Sequence, residues 1–144
     1  MGSPNPPHIL LVCDDPAGEA QACRILSKYR FANPVVTLRR ASEVLRYFSQ
    51  FDTGGEGAPE SLPHMIILSL EADLQAKVAH ASRKNRLAGV PLIVVAASRL
   101  EEEAVRGLSL PRTHCMGRPL GFFKLLEAMQ KLGMYWMVLK SSPR

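Results

Sequence analysis

Asp14 and Asp15 are adjacent carboxylates that end the apolar run 9–13 and precede Pro16. Two such groups repel at close range unless a cation offsets them, and a hard cation such as magnesium takes oxygen ligands of this kind. The same pair also suits plainer work, with one acid capping a helix that starts at Pro16 and its neighbour solvated. Three further apolar runs carry polar or small residues at comparable places. Run 65–70 contains Ser69, run 91–97 ends in Ala96 and Ala97 ahead of Ser98, and run 113–117 leads to Arg118 and Pro119.

These groups can act together only if the chain brings the ends of its runs to one place. The five runs, 9–13, 34–38, 65–70, 91–97 and 113–117, are short and mostly rich in Val, Ile and Leu without polar alternation. That pattern suits strands buried on both faces of a parallel sheet. Helical periodicity fills the intervals. Ala20, Cys23, Ile25 and Leu26 mark a first helix, Val44, Leu45 and Phe48 a second, and Leu74, Val78 and Ala81 a third. Leu100, Ala104, Val105 and Leu108 mark a fourth, and Phe122, Leu125, Leu126 and Met129 form the stripe of a fifth. Strand and helix alternating throughout predict one α/β domain with right-handed crossovers, and such sheets bind ligands beyond the carboxyl ends of their strands.

With 144 residues, 47% hydrophobic and 22% charged, the chain suffices for one ordinary globular core. No stretch approaches the roughly 20 apolar residues of a membrane span, and residues 1–7 have no charged or apolar leader character, so the expectation is a cytoplasmic protein without membrane contact. Cys13, Cys23 and Cys115 are odd in number and lack ligand spacing, so they read as small core residues. The net charge of +5 is scattered. Its densest group, Arg83, Lys84 and Arg86, sits near a helix end with no interleaved aromatics, and reads as a solvated face and not a nucleic-acid patch. The Gly-rich segment 52–63 precedes a strand and lacks a Lys-Ser/Thr pair, which makes it a surface loop and not a phosphate cradle. His64 and His80 have no ligand partners in the sequence, and Met129, Met134 and Met137 read as packing residues. The Ser98-x-x-Glu101 pattern predicts a helix cap.

From about His8 to Lys140 the chain resembles the receiver domains of two-component response regulators. Ile9-Leu10-Leu11-Val12-Cys13-Asp14-Asp15 resembles the first strand with its acidic pair. Pro63-His64-Met65-Ile66-Ile67-Leu68-Ser69-Leu70 resembles the third, where the family carries its phosphate-accepting aspartate. Val90 to Ser98 is similar to the fourth strand, and Gly117-Arg118-Pro119 to the family's lysine-proline step. Leu45-Arg46-Tyr47-Phe48 and the ending Leu132-Gly133-Met134-Tyr135-Trp136-Met137 resemble the single-domain regulators associated with bacterial phytochromes. The resemblance implies a flavodoxin-like (βα)5 doubly wound sheet of order 2-1-3-4-5, with a receiver-like domain over 8–134 and a C-terminal extension over 135–144.

The departures carry the functional expectation. In the family, an aspartate attacks phosphorus while magnesium, a hydroxyl and a lysine hold the transferring group. Here Ser69 stands for the acceptor, Ala96 for the hydroxyl residue, Arg118 for the lysine and Cys115 for the aromatic switch, and the segment between Leu70 and Pro91 is several residues short. A serine hydroxyl is a poor nucleophile without an adjacent base, and Arg118 is able to pair bidentately with Asp14 or Asp15. The expectation is a degenerate site at Ser69, Ala96 and Arg118 beside a residual acidic pocket, Asp14 and Asp15, which remains a weak magnesium candidate. No cofactor is expected. Asp73 reads as an acid in the first turn of a helix and not as a substitute acceptor. The chain is then a pseudo-receiver and no enzyme: an interaction module that forms a homodimer and binds a signalling protein through Phe122, Phe123, Met134, Tyr135, Trp136 and Met137. The alternative is a noncanonical phosphoacceptor regulator that uses Mg2+ at the acidic pair.

Overall fold

Each of the five apolar runs forms a strand, and a helix follows each strand. The computed structural model describes residues 8–28, 34–51, 62–84 and 86–133, apart from the side chains of Ala41, Ala72 and Asp73. In chain order the elements are β1 (Ile9–Cys13), α1 (Pro16–Lys28), β2 (Val35–Leu38), α2 (Ala41–Ser49), β3 (Met65–Ser69), α3 (Ala72–Ala81), a 3-10 turn (Arg86–Gly89), β4 (Leu92–Ala96), α4 (Arg99–Gly107), β5 (Thr113–Gly117) and α5 (Phe122–Lys131). All neighbouring strands are parallel, in the order β2-β1-β3-β4-β5. The glycine-rich loop, over its residues 52–61, lies outside the described residues, as does the ending 134–144.

Strand alternation divides the core in two. Ile9, Leu11, Met65, Ile67, Ile93 and Val95 face α1 and α5, while Leu10, Val12, Ile66, Leu68, Leu92 and Val94 face α2, α3 and α4. β1, β3 and β4 are buried along their whole length, as runs without polar alternation require. β2 is not. It is an edge strand, only half-buried with Val36 exposed, because no strand covers its outer side, and β5 at the other edge is likewise only partly buried.

Several helix stripes are narrower than the apolar positions predicted. Ala20 and Leu45 are exposed. In α4 the expected stripe of Leu100, Ala104, Val105 and Leu108 is overturned: the helix buries Glu101 and Val105, and Leu100 is 78% exposed. The solvated reading of the basic cluster holds for Lys84 and Arg86, which are exposed, and is corrected at Arg83. Arg83 directs its guanidinium onto the carbonyls of Leu87, Ala88, Val90 and Pro111 at 2.8–3.2 Å. Arg86 lies over the ring of Phe51, 5.8 Å from its centroid. Cys13 and Cys115 are buried and Cys23 is half-buried, in keeping with small core residues.

At the amino end of the sheet, the His64 amide donates to the His8 carbonyl at 2.8 Å, and His8 Nε2 shares a hydrogen bond with the Tyr47 hydroxyl at 2.9 Å. Burial, then the neighbouring His64, holds the His8 imidazole below its usual range, and burial does the same to His64. The folded protein therefore prefers both rings neutral. As pH falls past the ordinary imidazole value of 6.5 the unfolded chain takes up protons first, so stability is full above that value and drops as pH approaches the depressed folded values. The urea midpoint should accordingly fall between about pH 7.5 and about pH 5, with a shallower fall in His8→Gln. An unchanged midpoint across that window would show that the two rings titrate alike in both states.

Candidate functional site

Register gathers the predicted residues. Cys13 pairs with Ser69 and Ala96 with Gly117, so Asp14, Asp15, Ser69, Ala96 and Arg118 all leave the sheet at its carboxyl end. Asp15 Oδ2 accepts from the Gly18 amide at 3.1 Å and so caps α1. Gly18 eases the packing there, because a Cβ would sit tightly, 3.2 Å from that oxygen and 3.3 Å from Cys13 Sγ. Asp14 Oδ2 accepts from the Glu71 amide at 3.1 Å, which ties β1 to the start of α3. The Arg118 amide donates to the Ala96 carbonyl at 2.9 Å and carries the β4–β5 ladder one step further. The loop beyond is fastened twice: Lys124 Nζ donates to the carbonyls of Gly117 and Pro119, and Gln21 Nε2 to that of Leu120. Ser69 is buried, and beneath it a cavity of about 240 Å³ opens between α1, β3 and this loop.

Two polar side chains at the site escape a reading by periodicity. Gln75, fully buried on α3, accepts from the Leu70 amide at 2.9 Å and donates to the Val95 carbonyl at 2.8 Å. It bridges β3 and β4 just past Leu68↔Val94, where their ladder ends. The amide next to Ser69 is thereby committed to a neutral internal partner. Glu101 is the second. Ser98 caps α4 as its pattern predicts, accepting from the Glu101 amide at 3.1 Å. The Glu101 carboxylate passes over the cap residue, however, to take the Ala97 amide at 2.8 Å. Its Oε2 is buried with no hydrogen-bond partner among the described residues.

No family model matches the chain. Its fold superposes on the bacteriophytochrome response regulator AtBRR with a TM-score of 0.77 at 26% identity, over 96% of this chain and 100% of that one. A second bacteriophytochrome response regulator, RtBRR, superposes at 0.76 with 25% identity, over 96% of this chain and 84% of that one. The probable methanogenesis regulatory protein FilR2 of Methanothrix harundinacea (strain 6Ac) is 27% identical over 138 residues, which is 94% of this chain and 86% of that protein. The strand order and both superpositions agree. The chain has the flavodoxin-like receiver fold of these response regulators.

The receiver fold implies a magnesium ion at these strand ends, and the residues present fit one poorly. Each acid of the pair spends an oxygen on a backbone amide, and a hydroxyl stands where a third carboxylate would complete the set. Among the described residues no group of three or more His, Cys, Asp or Glu side chains gathers. The receiver domain also departs from the expected Arg118 pairing. Arg118 is exposed and forms no ion pair with Asp14 or Asp15. Cys115 lies in the core, where burial above all pushes its thiol up to about 11.

Of the expected partner surface, Phe123 is 80% exposed, whereas Phe122, at the start of α5, packs against the core. Met134, Tyr135, Trp136 and Met137 lie outside the described residues, as does the side chain of Asp73. His80 is exposed on α3, as expected. No helix of the described residues is long and apolar enough to cross a membrane.

Proposed function

We propose that this receiver domain is a cytoplasmic, phosphorylation-independent pseudo-receiver that acts as a protein–protein interaction module in two-component-type signalling. One observation carries the reading: the end of β3 presents a buried serine, and the adjacent Leu70 amide is held by Gln75. A neutral hydroxyl with no adjacent base is a weak nucleophile, and a serine phosphate would be a stable ester and not a labile acyl phosphate. Ala96 brings no hydroxyl to the site. Incubation with acetyl phosphate and Mg2+ should therefore leave the intact mass unchanged. A hydroxylamine-labile adduct mapped to Asp14, Asp15 or Asp73 would favour the noncanonical phosphoacceptor instead.

The proposed partners are a second copy and a signalling protein. Phe123 on α5 and Leu100 on α4 are the two most exposed large apolar side chains among the described residues, and side chains of this kind gain most from being covered. The cations support a protein partner over a nucleic acid, since Arg83, Arg39 and Arg106 are engaged with carbonyls, Glu19 and Glu102. Light scattering should find a dimer, and Phe123→Asp should give a monomer that stays folded by circular dichroism. Loss of a central aromatic contact costs about 2 kcal/mol or more, which weakens a dimer roughly thirtyfold. A wild type that is monomeric at every accessible concentration removes the self-association part of the reading.

A further inference from the structure

The cavity under the strand ends is built from the wrong material for phosphate. Its floor is Leu11, Ile67, Val95 and Leu120, with Ala22 of α1 at one side, all buried core residues. Its rim carries two opposite charges, Asp15 and Arg118, and these are not paired with each other. Asp15 uses Oδ2 to cap α1, which leaves Oδ1 without a partner among the described residues. The rim is held in shape, because Gln21 joins α1 to the Leu120 carbonyl and Lys124 secures the loop that carries Arg118.

We propose that this cavity binds a small zwitterion with an apolar side chain, of the class of leucine-like α-amino acids. The charges supply the head recognition: an ammonium group suits the free oxygen of Asp15, and a carboxylate suits the planar guanidinium of Arg118. The Ser69 hydroxyl, at the same rim, provides a neutral donor or acceptor. The floor supplies the tail site, since an apolar group that leaves water for such a surface gains in proportion to the area covered. Volume sets the size. An apolar cavity of about 150 Å³ takes benzene, so 240 Å³ scales to about ten non-hydrogen atoms. Leucine has a branched tail of the right bulk and both head charges. The small residues are what leave the space open: Ser69 and Ala22 border it, and bulkier side chains at either place would fill it. The inference concerns the same strand ends as the pseudo-receiver reading but stands on the cavity alone.

Three probes with one tail and different heads test it on the full chain: leucine, 3-methylbutylamine and 4-methylpentanoic acid, each titrated by calorimetry and by thermal shift. Leucine should bind most tightly, with the amine and the acid each weaker by about tenfold to a hundredfold, as expected for loss of a charged hydrogen bond. Asp15→Asn keeps a capping side chain and should bind leucine and the acid alike. Arg118→Met should bind leucine and the amine alike. Ala22→Leu, folded by circular dichroism, should bind none of them because its added carbons occupy the floor; should that variant fail to fold, the two head variants still decide the matter. Binding of all three probes with equal strength, of none up to about 10 mM, a range that covers any specific site worth the name, or of leucine unchanged in Ala22→Leu, overturns the proposal. Phosphorylation by acetyl phosphate and Mg2+, run as a separate arm without the probes, bears on the pseudo-receiver reading and leaves the cavity untouched.

Discussion

Arg83→Met should lower folding stability by about 3–4 kcal/mol, a large share of the roughly 5–15 kcal/mol that a domain of this size has in total. The guanidinium of Arg83 donates to the carbonyls of Leu87, Ala88, Val90 and Pro111, and to Ser82 Oγ at 3.0 Å. Those acceptors belong to the 3-10 turn, to the entry of β4 and to the entry of β5, so one side chain at the end of α3 fastens three separate connections. Hydrogen bonds from a charged donor contribute about 1.5–3 kcal/mol each, and buried carbonyls left bare cost more than the bonds gained when they were made. Burial, and to a lesser degree Arg112, lowers the Arg83 pKa to about 10, which leaves the group charged throughout the ordinary range. Arg83→Lys should recover less than half of the loss, since an ammonium lacks the planar fork that reaches several carbonyls at once. Urea denaturation of the two variants checks both values. A midpoint for Arg83→Met within about 0.5 kcal/mol of wild type, the usual range for a plain surface substitution, would restore the solvated reading of this cluster.

That cluster shows where reading by pattern stops. Arg83, Lys84 and Arg86 look like solvent cations because their neighbours in sequence are polar, and Lys84 and Arg86 are exposed, yet the acceptors of Arg83 lie in loops that become neighbours only through the crossover from α3 to β4. The strands were legible for the opposite reason. Residues of β1, β3 and β4 are buried whichever face they point to, so apolar content alone reports them, and the two edge strands β2 and β5 depart. The gathering of Asp14, Asp15, Ser69, Ala96 and Arg118 at one end follows from parallel strands entering the sheet from the same side, and was legible with them. What Arg118 touches was not, because a long side chain on a loop is placed by the loop's fastening, here through Lys124 and Gln21. The burial of Glu101 and of Gln75 was missed for a shared reason. Polar letters are assigned outward by periodicity, although Gln75 shares a helical face with Val78 and Ala79, and Glu101 with Val105. A polar residue at an apolar position of a stripe is the signal that was available.

Gln75→Leu should cost about 2–4 kcal/mol although it replaces a buried side chain with one of similar bulk. The volume is kept, so no cavity accounts for the loss. What changes is that the Leu70 amide and the Val95 carbonyl, both satisfied by Gln75, become buried without partners. Gln75→Glu separates the two bonds. A carboxylate still accepts from the Leu70 amide but meets the Val95 carbonyl with an oxygen in place of a donor, so the ionised form is disfavoured in the fold and its folded pKa rises above the unfolded value of about 4.3. The sign follows: the penalty is fully present above the raised folded pKa and is relieved as pH falls toward the unfolded one, since a protonated carboxyl donates to Val95. His8 and His64 act alike in both proteins, so the gap between them reports the new carboxyl alone and should narrow as pH falls. Amide exchange supplies a local check, with the Leu70 amide exchanging faster in Gln75→Leu and staying protected in Gln75→Glu. A Gln75→Glu protein whose deficit relative to wild type does not change with pH would mean that Gln75 does not donate to the Val95 carbonyl, and that the amide beside Ser69 is less firmly committed than its 2.9 Å bond implies.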